Sequence, residues 1–228
     1  MSSFLLKIFS PALRQAARIY TAKTRKFLYE DISIVVHPGV FHPGLFFSTK
    51  LLLDFVEKLD LNDKSFLELG AGSGIISLLA AKKNAIVYAS DINKAAIKNI
   101  RENSQLNNSE INIIQSDLFD EIKQQVFDFI IINPPFFNKE PRTEAEYAWN
   151  CGKKFEYFYK LFKSLSNYMS IKSSVFMILS ETSKIDTIKS IGTEHGFQWK
   201  LVLRKRIWSE ENYIFKIQEN KLLQDRKC

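Results

Sequence analysis

The chain has few cysteines and histidines, and they stand far apart. Among 228 residues there are two cysteines, Cys151 and Cys228, and three histidines, His37, His42 and His195. Their spacing matches no metal-ligand pattern, and two distant cysteines make no disulfide framework. We therefore expect no catalytic metal and a reducing, cytoplasmic compartment.

Long apolar runs are also absent from the sequence. No stretch reaches the roughly 18 apolar residues that would span a bilayer, so we expect a soluble protein without membrane contact. Hydrophobic residues still make up 46% of the chain, which is enough for a substantial core in one main domain. We place that domain at residues 49–228. Residues 1–48 would then form an N-terminal helix, a short hairpin around residues 27–36, and a loop that covers the ligand.

Acidic residues are missing from the first 29 positions. The six basic residues of this segment are Lys7, Arg14, Arg18, Lys23, Arg25 and Lys26. Ser10 and Pro11 followed by apolar residues at helical spacing predict an amphipathic helix. Such a segment is typical of a packing helix, of a transit peptide, or of an arm that contacts an anionic substrate. With a net charge of +7, contact with nucleic acid stays open on charge alone.

Glycine is scarce, but three of the eight glycines stand together. Gly70, Gly72 and Gly74 follow a strand-like apolar run and precede residues with helical spacing. A glycine turn between a strand and a helix lets a flat ligand lie directly on the backbone. The dinucleotide fingerprint requires glycine at its first, third and sixth positions, whereas the third glycine here falls fifth. A turn that only connects a strand to a helix would show similar glycines. The residues further along the chain must therefore decide whether a ligand binds at this turn.

Strand-like and helix-like segments alternate from residue 65 to residue 217. The predicted strands are 65–69, 85–90, 111–115, 127–132, 174–179, 198–206 and 212–217. The predicted helices begin near Gly74, Asn93, Asp117, Phe155 and Ser183. This alternation predicts an α/β fold, a Rossmann-like sheet of seven mostly parallel strands with helices on both faces. Because only residues 207–211 separate the last two strands, we expect them to form a hairpin that makes the final strand antiparallel.

Acidic residues stand at the ends of three successive predicted strands. Glu68 closes the first strand, Asp91 follows the second, and Asp117 follows the third. Ligands of open α/β sheets bind at these carboxyl ends. Asp91 would accept hydrogen bonds from both hydroxyls of a ribose, and Asp117 could bond an adenine amine. Each acid alone could be a helix cap, but three in succession favour one shared site.

The fourth predicted strand ends in the sequence Asn133-Pro134-Pro135-Phe136. An amide or exocyclic amine becomes nucleophilic only when hydrogen bonds draw its N–H groups out of the π plane. Asn133 supplies a side-chain carbonyl, Pro134 a rigidly held backbone carbonyl, and Phe136 a face for stacking. These residues favour the binding and orientation of a planar NH2 group. An Asn-Pro-Pro turn that merely ends a strand is the structural alternative.

The glycine pattern, with Glu68 ahead of it, resembles the first motif of class I S-adenosylmethionine-dependent methyltransferases. The Asn-Pro-Pro-aromatic sequence resembles the motif of the N-methyltransferases that modify planar NH2 groups. This resemblance implies S-adenosyl-L-methionine as the cofactor, and it implies that Asn133, Pro134 and Phe136 act on the accepting nitrogen. The residues that would hold the cofactor are Glu68, Gly70, Ala71, Gly72, Gly74, Asp91, Ile92, Asp117, Leu118 and Asn133.

Two further segments are similar to HemK-type glutamine methyltransferases. They are the proline-rich residues 38–43 and residues 148–152. The chain departs from that family at residues 44–48, where an acidic segment is replaced, and at Phe136, where tyrosine is usual. Residues 1–30 are also too few for the family's N-terminal helical domain. The acceptor therefore stays open between a protein glutamine amide, which we favour, and an adenine or guanine amine of RNA or DNA. A non-catalytic scaffold that binds the cofactor or RNA is the third alternative.

Overall fold

The computed structural model of the protein describes residues 19–45, 47–207 and 210–220. The predicted N-terminal helix falls mostly on residues 1–18, outside the described part, although residues 19–21 are helical. Lys7, Arg14 and Arg18 also lie outside it. Their predicted contact with a substrate therefore stays a prediction.

Strands and helices alternate along the described chain. The strands are β1 (Arg25–Tyr29), β2 (Ile32–Val36), β3 (Ser65–Leu69), β4 (Ile86–Asp91), β5 (Ile111–Gln115), β6 (Phe129–Ile132), β7 (Ser174–Ser180), β8 (Phe197–Ile207) and β9 (Glu210–Glu219). The helices of eight or more residues are α1 (Phe47–Val56), α2 (Ile75–Lys82), α3 (Lys94–Leu106), α4 (Glu156–Leu165) and α5 (Ile185–Glu194). Short 3-10 turns span Pro43–Leu45, Glu144–Ala148 and Ser166–Tyr168.

Seven strands form one sheet in the order β5-β4-β3-β6-β7-β9-β8. The pairings from β5 through β7 are parallel, whereas β9 is antiparallel to both of its neighbours. The predicted Rossmann-like sheet with an antiparallel C-terminal strand is thus confirmed. Because β9 runs backwards, it begins at the same edge where the parallel strands end.

The central strand β6 is apolar along its whole length because both faces of the sheet are covered. Its side chains alternate in direction. Ile130 and Ile132 join the cluster that contains Phe158 of α4 and Ile188 of α5. Ile131 joins the cluster of α1 and α2 on the other face. The carboxyl end of β6 is therefore held between two packed layers. This packing fixes the position of the residues that follow the strand.

The predicted hairpin is confirmed as β1 and β2, which pair antiparallel. Asparagines of α3 anchor it beside the glycine loop. Asn103 Oδ1 accepts from the Val35 N–H at 2.8 Å, and its Nδ2 donates both to the Val35 carbonyl and to the Ser73 carbonyl at 2.8 and 2.9 Å. The predicted division of the chain at residue 48 stays a prediction.

The helix predicted to begin near Asp117 is wrong. Residues 117–121 form turns instead, and the chain reaches β6 without an intervening helix. Leu118 has φ of 55°, which lies in the left-handed region and is incompatible with continuing a right-handed helix. The Ser116 hydroxyl bonds the Leu118 carbonyl at 2.9 Å and accepts from the Glu121 N–H at 3.0 Å, so side-chain bonds replace the helical ones.

Candidate active site

A cavity opens at the edge of the sheet where the parallel strands end. The glycine loop, the residues after β4 and β5, and the segment 133–136 after β6 form much of its wall. The predicted site residues that line it are Gly70, Gly72, Asp91, Ile92, Asp117, Leu118, Asn133, Pro134 and Phe136. The structure thus brings residues from four strand ends into one concave site, as expected for an open α/β sheet.

Glu68, Ala71 and Gly74 are not among the described residues that line the cavity. Glu68 is buried behind the loop, where its Oε2 accepts from the Ser77 N–H at 2.9 Å and from the Ser77 hydroxyl at 2.5 Å. Gly74 has φ of 80°, and a Cβ there would lie 3.1 Å from Ile100 Cγ2. These contacts fix the shape of the loop. Direct cofactor contacts by these three residues stay predictions.

Gly70 provides the open cradle of the site. Its φ is 73°, a Cβ placed on it would meet no described atom within 4 Å, and the residue lines the cavity. The N–H groups of Gly70 and Ala71 both donate to the Ser90 carbonyl at 2.9 Å. The loop is thereby held against β4, and a flat ligand fits on its bare backbone.

Asp91 clamps the glycine loop from the end of β4. Its Oδ2 accepts from the Gly72 N–H at 2.8 Å, and its Oδ1 accepts from the Asn93 N–H at 2.9 Å. Burial raises the pKa of this carboxyl, and hydrogen bonds from the backbone of Asn93, Gly72 and Ile92 oppose that shift. A carboxylate has about four acceptor positions. Asp91 therefore keeps acceptor capacity toward the cavity, which suits a pair of ribose hydroxyls.

Asp117 is committed to an ion pair that the sequence did not indicate. Lys160 Nζ of α4 lies 2.6 Å from Asp117 Oδ2 and 2.6 Å from Asp120 Oδ2. The lysine ties the turn after β5 to α4 and orients the Asp117 carboxylate at the cavity wall. An adenine amine that bonds this carboxylate, as predicted, would share the carboxylate with Lys160.

The segment after β6 forms the other end of the cavity. Asn133 is half-buried there, and Pro134 and Pro135 are buried. In the part of the chain that the structure describes, no hydrogen bond engages the Asn133 side chain, so its amide is available to a ligand. Phe136 packs on Phe137 with ring centroids 4.7 Å apart. Asn133, Pro134 and Phe136 therefore line the same cavity as the glycine loop, and their predicted role in binding a nitrogen stays a prediction.

Two loops meet at the wall of the cavity. Phe41, from the proline-rich segment, packs against Trp149 with ring centroids 5.0 Å apart, and both residues line the cavity. The Phe137 N–H donates to the Trp149 carbonyl at 2.9 Å, and the Cys151 N–H donates to the Phe137 carbonyl at 2.9 Å. The segments that carried the resemblance to glutamine methyltransferases thus contribute to the same site.

The structure adds residues that the sequence analysis missed. Ser180 at the end of β7, and Glu210 and Asn212 at the start of β9, also line the cavity. Ser180 pairs directly with Asn212 across the two strands. The predicted antiparallel direction of the last strand was the signal that could have found them, because it puts the beginning of that strand at the ligand edge.

The described residues show neither of two other kinds of site. Within them, no helix is long and apolar enough to cross a membrane, and no group of three His, Cys, Asp or Glu side chains could hold a metal ion. Cys151 is buried, and burial raises the pKa of its thiol to about 11. This thiol is therefore protonated at neutral pH and is a poor nucleophile.

Comparison with known proteins identifies the family. The family model described as methyltransferase small domain matches residues 31–152. The chain belongs to this methyltransferase family. The prediction of an S-adenosyl-L-methionine-dependent methyltransferase is thereby confirmed, and the family implies this molecule as the cofactor. The open cradle at Gly70 and the acceptor capacity of Asp91 fit such a ligand.

Relatives of this methyltransferase include an archaeal protein and a bacterial enzyme. A Methanocaldococcus jannaschii protein named as a protein N5-glutamine methyltransferase is 34% identical over 193 residues, covering 80% of this chain and 93% of the relative. A release factor glutamine methyltransferase of Lactococcus lactis is 36% identical over 165 residues, covering 69% of this chain and 58% of the relative. The chain therefore spans nearly all of the first relative and little more than half of the second.

A solved structure shares the fold of this methyltransferase. The T. thermophilus 16S rRNA N2 G1207 methyltransferase, in complex with AdoMet and guanosine, has a TM-score of 0.61 and 19% identity. The match covers 87% of this chain and 50% of that one. At this identity the likeness establishes the architecture of the sheet and nothing about the acceptor.

Glu68 gives the methyltransferase a testable pH dependence. Burial raises the pKa of its carboxyl from the usual 4.5 to about 8, so between these values the folded protein binds a proton that the unfolded chain has released. The stability linked to Glu68 is full below pH 4.5 and is lost as the pH rises through about 8. We expect the free energy of unfolding of the wild type to fall between about pH 5 and about pH 9. In Glu68→Gln this fall should be smaller by a few kcal/mol. Denaturant unfolding at both pH values measures the difference, and equal losses would contradict the expectation.

Proposed function

We propose that the protein transfers a methyl group from S-adenosyl-L-methionine to the side-chain amide nitrogen of a glutamine in a protein substrate. The observation that carries this proposal is the position of Asn133, Pro134 and Phe136, which form the wall of the cavity together with the glycine loop. A planar NH2 group that enters between them would meet two carbonyl acceptors and an aromatic face.

The chemistry of an amide explains why these residues are needed. Its nitrogen lone pair is delocalised into the carbonyl, so the nitrogen attacks poorly in solution. Hydrogen bonds from the two N–H groups to Asn133 Oδ1 and to the Pro134 carbonyl would hold the nitrogen in a geometry that exposes the lone pair. When bound, the cofactor supplies an electrophilic methyl group on a sulfonium. Holding the nitrogen in line with it can contribute up to about 7 to 11 kcal/mol.

Two observations support a protein amide as the acceptor. The relatives with 34% and 36% identity are both named as glutamine methyltransferases. In addition, Phe41 and Trp149 of the two segments that resemble those enzymes pack together in the wall of the cavity. The named substrate of the Lactococcus lactis enzyme, a release factor, is therefore the first protein to test as an acceptor.

A nucleobase amine is the second candidate acceptor. The net charge of +7 favours a polyanion, and a planar exocyclic amine presents the same N–H geometry as an amide. Among the described basic residues, however, Arg25 donates its Nε–H to the Tyr20 carbonyl at 3.0 Å. This hydrogen bond engages the guanidinium within the protein itself. The non-catalytic scaffold has no observation in its favour, because the chain belongs to a methyltransferase family.

Methyl transfer into a cell extract tests the proposed acceptor. The protein is incubated with methyl-labelled S-adenosyl-L-methionine and a fractionated extract, and each labelled fraction is then treated separately with nuclease and with protease. We expect protease to release the label and nuclease to leave it in place. Label that nuclease removes and protease leaves would overturn the glutamine proposal in favour of a nucleobase.

A cytoplasmic location, expected from the scarce cysteines, stays a prediction.

A further inference from the structure

Glu210 places a carboxyl group in the wall of the cavity. It begins β9, two residues before Asn212, which pairs with Ser180 at the end of β7. Its exposed fraction is only 8%, and it lines the same cavity as Asn133 and Pro134. The Asn212 amide donates to the Glu210 backbone carbonyl at 3.3 Å, which holds the start of the strand in place.

The other two acids of the cavity wall are already engaged. Asp91 accepts from two backbone N–H groups, and Asp117 is paired with Lys160. Among the described residues no cation pairs with Glu210, whose carboxyl interacts with the Ser180 hydroxyl. Burying a carboxyl without a charged partner costs free energy. Such a group in a cleft is a candidate for a functional role.

The reaction itself releases a proton that a carboxylate beside the acceptor can take. Attack by a neutral amide nitrogen on the methyl carbon leaves the nitrogen with a positive charge and one proton too many. The two acceptors after β6 are the oxygens of Asn133 and Pro134, and neutral amide oxygens are very weak bases. They can orient the nitrogen, but they cannot keep its proton at neutral pH.

We propose that Glu210 is a further catalytic residue, which accepts the proton released from the methylated nitrogen. In this step the nitrogen lone pair forms the new N–C bond, and the electron pair of the broken C–S bond leaves with sulfur. One of the two N–H groups then exchanges its hydrogen bond to Asn133 or Pro134 for one to a Glu210 oxygen. It gives its proton to that oxygen, and the electron pair of the N–H bond returns to nitrogen. The products are a neutral N-methyl amide and a neutral carboxylic acid. The inference rests on the proposed transfer to an amide nitrogen.

The electrostatics of the site support this role. Burial raises the pKa of the Glu210 carboxyl, the Ser180 hydroxyl opposes the shift, and the Glu181 carboxylate adds to it. A carboxylate whose pKa lies closer to neutrality is a stronger base at physiological pH. Before the proton moves, the negative charge of Glu210 also stabilises the positive charge that develops on nitrogen.

Substitution of Glu210 tests the proposal, with Glu211 as the matched control. Glu211 is the next residue of the same strand, and it pairs with Arg204 and Tyr213 instead of lining the cavity. We expect Glu210→Gln to lower kcat about 100-fold or more, as for loss of a general base, with KM changed less than about threefold. Glu210→Asp should recover part of the rate, and Glu211→Gln should stay within about twofold of the wild type.

A second measurement needs no bound cofactor. The side-chain carboxyl carbon of Glu210 is followed by NMR against pH in 13C-labelled protein, and it is assigned by its loss in Glu210→Gln. We expect it to titrate above the ordinary range of glutamate, and the acidic limb of the wild-type kcat profile to follow the same midpoint and to vanish in Glu210→Gln.

Three results would overturn the inference. One is a Glu210→Gln variant that keeps the wild-type kcat, and the second is a Glu210 carboxyl that titrates in the ordinary range. The third is a Glu210→Gln variant that no longer binds S-adenosyl-L-methionine, which would make the residue a structural support. Failure of the proposed function gives a different pattern, because the wild type itself would then transfer no methyl group to a glutamine amide.

Discussion

Asn133→Ala is expected to lower the rate of methyl transfer by about 10²- to 10³-fold, the usual cost of removing one preorganised polar group from a reacting centre. The half-buried amide faces the cavity, and no described residue competes for its hydrogen bonds. Without Asn133 Oδ1, one N–H of the acceptor loses its partner, and the nitrogen is no longer held in a reactive geometry. Single-turnover transfer of labelled methyl at saturating cofactor measures this loss directly.

Asn138→Ala is the matched control for that substitution. Asn138 lies in the same loop, but it is exposed and is not among the described residues that line the cavity. We expect this variant to transfer methyl at the wild-type rate. Both variants should bind S-adenosyl-L-methionine, since the glycine loop and Asp91 are untouched. An Asn133→Ala protein that keeps more than about half of the wild-type rate would remove the residue from the reacting centre.

Gly70→Ala is expected to abolish measurable binding of S-adenosyl-L-methionine. A Cβ at this position projects into open space above the loop, which is the space that a ligand lying on the backbone would occupy. The positive φ of 73° adds strain of about 1 to 2 kcal/mol for alanine. Calorimetric titration with the cofactor measures the affinity, and thermal unfolding measures the stability.

Gly196→Ala is the control that separates the backbone strain of an added Cβ from the loss of open space at Gly70. Gly196 has φ of 88°, and its Cβ would also meet nothing within 4 Å, but it lies between α5 and β8, away from the described cavity lining. Both glycine variants should lose similar stability, while only Gly70→Ala should lose the cofactor. Equal affinities in the two variants would show that the ligand does not rest on Gly70.

The sequence predicted the sheet well because its signals are local. Strands β3, β6 and β7 are short, mostly apolar runs, and Gly70, Gly72 and Gly74 mark one turn with side-chain-free backbone. The end of β6 was equally clear, since Asn133 and Pro134 follow an apolar run that both faces of the sheet bury. For these elements, the residues that determine the structure are neighbours in the chain.

The prediction failed where the structure depends on distant residues. The helix after β5 does not form, because Ser116 and the left-handed Leu118 fix a turn that is held by Lys160 from α4. The pairing of Lys160 with Asp117 joins residues that are 43 positions apart, a separation that no local pattern reveals. Long-range contacts of this kind decide how an acid at a strand end is used.

Glu210 is a second residue whose position depends on contacts that are distant in the sequence. In the sequence it stands in a charged stretch with Glu211, and nothing local separates the two carboxyls. Successive side chains of a strand point to opposite faces, and the placement of β9 beside β7 and β8 puts Glu210 at the cavity and Glu211 at Arg204. The direction of the last strand was predicted, so the position of its first residues at the ligand edge followed from topology rather than from any motif.

The location of the transferred methyl group tests the central claim most directly. Protein labelled in an extract, or a purified release factor labelled by the enzyme, is hydrolysed completely in acid. An N-methyl amide of glutamine breaks at the amide bond under these conditions, so our account predicts that the label is recovered as methylamine and that the amino acid appears as unlabelled glutamate. Label that stays on an amino acid, or on a nucleobase from the nucleic-acid fraction, would contradict methylation of a glutamine amide.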